Sequence, residues 1–169
     1  MDEARFFELI DEARDGSQPT SPSADPVTLA GLLVDVDDDE LVGFSAEYER
    51  QMTRLNDWRV WGAGYVAQGG MSDDGFAYFR SWIIGKGEDA VGQALTDPDG
   101  LVDFLADGEE LSNEELQYAA FDQLEDRGLE ETAATSAAGE DGAPTGEPFD
   151  EATVEADFPR LATWFAAQV

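Results

Sequence analysis

The stretch that decides the fold begins Trp58-Arg59-Val60-Trp61-Gly62-Ala63-Gly64-Tyr65. It continues as Gly69-Gly70-Met71-Ser72-Asp73-Asp74-Gly75-Phe76-Ala77-Tyr78-Phe79-Arg80-Ser81-Trp82-Ile83-Ile84. Residues 58–86 carry three basic and two acidic side chains, a net of +1, and seven of the chain's 18 aromatics. The flanks are different: residues 1–57 sum to −11 and residues 87–169 to −20. In a chain of net charge −30, a stretch without solvating charge is expected to be buried. The sequence therefore predicts an all-α, compact single-domain multi-helix bundle with an acidic surface. Its centre is expected to be an aromatic helix pair formed by 58–86.

Periodicity supplies the remaining elements. Phe6, Leu9, Ile10 and Ala13 mark a helix over 3–14, with Asp15-Gly16 as its stop and a Ser/Pro-rich loop to Pro26. Thr28–Val36 reads as a short helix, with a strand over Leu32–Val36 as the competing reading. Asp37-Asp38-Asp39-Glu40 opens the helix of Leu41, Phe44, Tyr48, Met52 and Leu55, and Trp58 onward continues at helical spacing to Gln68. The acidic run lacks the alternating ligands, glycine and closing Glu of a calcium loop. Ser72 is a predicted N-cap with Asp73 and Asp74 in the first turn. Glu88–Leu95 is a further short helix, and Leu101, Phe104 and Leu105 suit one more turn. Ser112 and Glu115 form a capping-box pattern before Leu116, Ala119, Ala120 and Leu124. Residues 1–129 are expected to be the helical core domain. Residues 130–148 read as a flexible acidic, Ala/Gly-rich linker, and 149–169 as a C-terminal helix docking back on the core.

Composition narrows the chemistry. The 169 residues include no cysteine and no histidine, which excludes disulfides, thiol nucleophiles, Cys/His zinc sites and histidine bases. Nine Lys+Arg against 39 Asp+Glu leave nothing to neutralise a run of phosphates, so nucleic acid is not an expected partner. No run approaches the roughly 20 apolar residues of a membrane helix. Met1-Asp2-Glu3-Ala4-Arg5 lacks the start of a signal peptide; the expected location is cytoplasmic. The single Lys86 beside eight arginines, with 21 Asp against 18 Glu, suits salt adaptation. A basic protein partner and cation binding are the other readings of the charge. No cofactor and no resident metal are expected, and nothing in the sequence fixes the oligomeric state.

The central string resembles the bacterial family catalogued as domain of unknown function 4240. The likeness rests on Trp58–Tyr65, on Gly69–Ile84 and on Ala94-Leu95-Thr96-Asp97-Pro98-Asp99-Gly100-Leu101. Pro148-Phe149-Asp150 and Phe158-Pro159-Arg160-Leu161 extend it along essentially the whole chain. It implies a small helical domain and no particular chemistry. Met71 stands where many relatives are expected to have cysteine.

Candidate site residues cluster in the same stretch. Asp73 and Asp74 are adjacent carboxylates at a helix start; they read as capping, or as an acid/base or Mg²⁺-ligand pair. Arg80, seven residues after Asp73 and between Phe79 and Trp82, needs a carboxylate or carbonyl partner, or would hold an anion at a pocket mouth. Arg59 and Lys86 would add positive charge there. Trp61, Tyr65, Gln68 and Tyr78 are the candidate ligand-binding partners of Arg80. The favoured expectation is a non-catalytic binding or regulatory module that engages a basic protein partner or a small anionic ligand. The alternative is a small enzyme acting on an anionic or amide substrate through Asp73, Asp74 and Arg80, assisted by Mg²⁺.

Overall fold

The structure is a computed structural model that describes residues 1–14, 18–106, 108–136 and 142–169. The Asp15-Gly16 stop and part of the expected linker lie outside the described residues. The elements are α1 (Glu3–Ala13), α2 (Pro26–Val34), α3 (Asp38–Arg54), α4 (Trp58–Gln68), α5 (Asp73–Gly85), α6 (Glu88–Thr96), α7 (Tyr118–Arg127), α8 (Glu130–Ser136) and α9 (Pro159–Ala166). Turns of 3-10 helix span Pro98–Phe104, Glu114–Gln117 and Val154–Ala156. No strand forms among the described residues, and the fold is all-α; Asp57 and Thr145 make an isolated parallel bridge.

Local chemistry explains most helix starts. Asp2, Asp25, Asp37, Asp57 and Ser72 each accept a backbone N–H of the following turn. Each cap satisfies a donor that the helix cannot, typically contributing about 1 kcal/mol. Pro26 then suits the first turn of α2, where its missing N–H costs nothing, and the strand reading of Leu32–Val36 fails. Leu29 and Leu33 face inward from α2. The predicted run from Leu41 through Gln68 breaks instead at Leu55–Asp57, where Asp57 caps a new helix. Gly69 closes α4 at φ 67°, a left-handed conformation that glycine adopts without a Cβ penalty.

Burial makes α5 the centre. Every residue from Phe79 to Gly87 is buried, including Arg80 and Lys86. This helix touches α1, α3, α4, α6 and the Glu114–Gln117 turn. Gly64 lets α4 and α5 meet: a Cβ there would lie 2.7 Å from both Met71 Cε and Phe79 Cδ1. On its other side α4 packs against α9, and a Cβ on Gly62 would reach within 3.0 Å of Phe158.

Two elements differ from the sequence reading. The Ser112–Glu115 capping box does not form; a 3-10 turn starts at Glu114 and α7 only at Tyr118. Asn113 decides this. Its side chain donates to Ser23 Oγ and the Ala24 carbonyl, and its carbonyl accepts Ser81 Oγ, so tertiary bonds fix the backbone before a local cap can. Residues 130–136, expected in a flexible linker, form α8, which packs on α3 with Ala133 buried.

Candidate functional site

The buried polar groups are assembled from distant segments. Lys86 Nζ is fully buried and donates to the Ser21 carbonyl and, at 2.9 Å, to Glu109. Glu109 also accepts Trp82 Nε1 at 3.0 Å and the Ser23 amide at 2.7 Å. Desolvation lowers the Lys86 pKa from its ordinary value, and the Glu109 hydrogen bond opposes the shift. Tyr48 donates to Ser81 Oγ at 2.8 Å, and burial raises its phenol pKa above the usual value. These groups are enclosed, and each serves the assembly of α5 with its neighbours.

The predicted site residues fall in separate places. Asp73 and Asp74 are exposed in the first turn of α5. Arg80 is only 5% exposed. Its Nη1 donates to the Met52 carbonyl at 2.8 Å, near the end of α3. Its guanidinium lies 4.7 Å from the Phe76 ring centroid. Among the described residues no ion pair joins Arg80 to Asp73 or Asp74. Trp61 stacks on Phe76 at 4.7 Å, so Trp61, Phe76 and Arg80 form one column.

The other candidates are tied to different segments. Tyr65 donates to Glu151, Tyr78 to Glu114, and Gln68 to the Leu111 carbonyl, each at 3.0 Å. The hydrogen bonds to carboxylates raise both tyrosine pKa values. Gln68 also borders a surface cleft with Leu111 and Trp164.

Two surface features stand apart from this set. At the N-terminus of α4 a cavity of about 560 Å³ is lined by Trp58, Arg59, Phe149 and Phe158, with Asp57, Glu147 and Asp157. Lined by other residues, two adjoining clefts of about 150 and 550 Å³ share Tyr118. Phe121 lines the first and Val27 the second. Glu49, Glu114, Glu115 and Asp122 supply the charge of both clefts, and no basic residue lines either among the described residues.

Several structural roles escaped the sequence reading. Arg127 donates to the Leu33, Val34 and Val36 carbonyls and caps the end of α2. Asp99 accepts the Arg160 and Leu161 amides, 61 and 62 residues away, and caps α9 in place of a local side chain. Asn56-Asp57 was a legible helix break, since Asx residues favour caps. The partners of Arg127 and Asp99 carried no local signal.

The geometry defines an all-helical protein whose central polar groups hold helices together, with several clefts opening on its surface. The chain belongs to the family described as protein of unknown function (DUF4240), which matches residues 1–126. The match ends before Pro148-Phe149-Asp150 and Phe158–Leu161, so it does not cover the tail that the resemblance included. No curated protein and no solved structure matches the chain. No helix among the described residues is long and apolar enough to cross a membrane.

Proposed function

We propose that the protein is a non-catalytic binding module that engages a basic protein partner. The paired clefts beside α7 carry this reading. Of the five exposed large apolar side chains among the described residues, three, Val27, Tyr118 and Phe121, line them. Phe121 is 52% and Val27 77% exposed. An apolar strip whose charged lining among the described residues is all acidic complements a helix that is apolar on one face and lysine- or arginine-rich at its margins. The acidic rim speeds encounter, and the aromatic contacts supply specificity.

The partner class is tested with a synthetic amphipathic Leu/Lys helix titrated calorimetrically at graded salt. Any polycation is drawn to a chain of net charge −30, so the deciding variants leave charge untouched. Phe121→Ser and Val27→Ser are expected to weaken binding by about tenfold together, the scale of losing one or two interface anchors. Equal affinity for both proteins would reject the clefts as the docking face.

A further inference from the structure

We propose that the cavity at the N-terminus of α4 binds a small organic cation, a methylated ammonium or a guanidinium. This is a second site, sharing no lining residue with the α2–α7 clefts, and it does not depend on them.

The lining sets the ligand class. Trp58, Phe149 and Phe158 bring aromatic surface to the cavity from three separate segments. One face of Trp58 is stacked on Trp61 at 5.0 Å, nearly parallel, and the half-buried ring lines the cavity. Phe149 stands edge-on to Trp58 at 6.0 Å. Aromatic faces attract cations through the ring quadrupole, most strongly for tryptophan. The charged lining is Asp57, Glu147 and Asp157 against Arg59, a net of −2.

Asp57 is already engaged, by the Arg59 amide and by Thr145 Oγ1. Glu147 and Asp157 are exposed, and their carboxylates have no partner among the described residues. No cluster of three or more carboxylates among those residues could hold a metal ion. A bulky, weakly hydrated cation fits that spacing better than a compact one. At about 560 Å³ the space suits a small organic molecule.

The walls are fixed before any ligand arrives. The Thr145 amide donates to the Asn56 carbonyl at 2.9 Å, and the Trp58 amide to the Thr145 carbonyl at 3.0 Å. These bonds clamp the 145–149 segment to the start of α4. Gly146, at φ 81°, makes the turn beside Asp57. Phe158 is buried against Gly62, beside Phe149. Such preorganisation lowers the ordering cost of binding. Arg59 has no ion pair among the described residues, yet an anion drawn to it would face three carboxylates.

The experiment follows the Trp58 indole and Gly146 amide signals by NMR while choline is added at low salt. The matched neutral probe is 3,3-dimethylbutanol, and the anionic probe is benzoate. Choline is expected to shift those signals saturably, with the neutral probe about tenfold weaker or more, the scale of a partly desolvated cation–π contact. Glu147→Gln with Asp157→Asn, both exposed positions, should weaken choline by about threefold or more, and Arg59→Gln should hold or raise its affinity. Trp58→Leu should abolish the response. If that variant does not fold, the carboxylate pair alone decides. Equal binding of the neutral probe, an unchanged affinity in the carboxylate pair, or tighter benzoate binding lost in Arg59→Gln would each overturn the proposal. Binding of free choline marks a soluble ligand. Binding only of a trimethyllysine peptide, with the same variant profile, would place the same cation on a protein chain.

Discussion

The two ends of the charge-poor segment 58–86 have opposite fates. At its C-terminal end every residue from Phe79 to Lys86 is buried, and the charges there are enclosed with partners. At its N-terminal end, Trp58 is half-buried and Arg59 exposed, and both line an open cavity. The composition is similar at both ends. The difference lies in what arrives from elsewhere: α1, α3, α6 and the Glu114–Gln117 turn surround α5, whereas at the start of α4 the 145–149 segment and Asp157-Phe158 line an open cavity. Low charge density marks a segment for burial, and the supply of covering elements decides which part becomes core and which becomes a site.

The largest expected effect comes from opening the sealed end. Glu109→Ala leaves Lys86 charged and buried and removes the partner of Trp82 Nε1. Breaking such a pair costs about 3–5 kcal/mol in urea denaturation. A loss below about 1 kcal/mol, typical of a surface ion pair, would show that water reaches Lys86 and that the contrast between the ends is false.

Next is the seam between the two helices. Gly64→Ala places a methyl against Met71 and Phe79, and overpacking of this kind costs about 1–3 kcal/mol. Gly92→Ala, where a Cβ meets nothing within 4 Å, is expected to be neutral or slightly stabilising by helix propensity. Equal effects at the two sites would refute the close approach of α4 and α5.

A pH series sharpens the same contrast. The Tyr48 pKa is raised in the fold above its ordinary 10.0. Below pH 10 both states are protonated and this group adds no pH dependence. Above pH 10 the unfolded phenol ionises while the folded one keeps its proton, so stability falls as pH rises. Tyr48→Phe should flatten that alkaline loss, at a cost near neutrality of about 1 kcal/mol for the hydrogen bond to Ser81. An unchanged alkaline slope in the variant would mean that the phenol is solvated.

The smallest effects belong to the open end and the exposed helix start. Arg59→Gln should change stability by less than about 0.5 kcal/mol. Asp73→Asn with Asp74→Asn should lose about 1 kcal/mol at most, the helix-dipole contribution of two exposed carboxylates. A loss of several kcal/mol in that double variant would reveal a tertiary role for the pair.

Arg80, Asp73 and Asp74 show where the sequence reading of the site stopped. Spacing put them on one helix, and the need of Arg80 for a carboxylate or carbonyl partner was legible from its apolar neighbours. That the carbonyl is Met52, on another helix and away from Asp73, was not. The same limit separates Ser72, which caps as its pattern predicts, from Ser112, whose equally good pattern is overridden by the bonds of Asn113. The cavity at α4 was least legible, because Trp58, Phe149 and Phe158 come from separate parts of the chain.

The sequence by itself determined the helical class, most helix starts and the low charge that marks 58–86 for burial, which the structure completes only at its C-terminal end. These depend on caps, periodicity and local charge, all of which act within a few residues. Only the tertiary structure decided that α5 is the centre, that Lys86 and Arg80 are enclosed, that Asp99 caps α9, and that a cavity opens beside Trp58. Each of these depends on a partner brought in from a distant part of the chain, and local pattern does not encode that pairing.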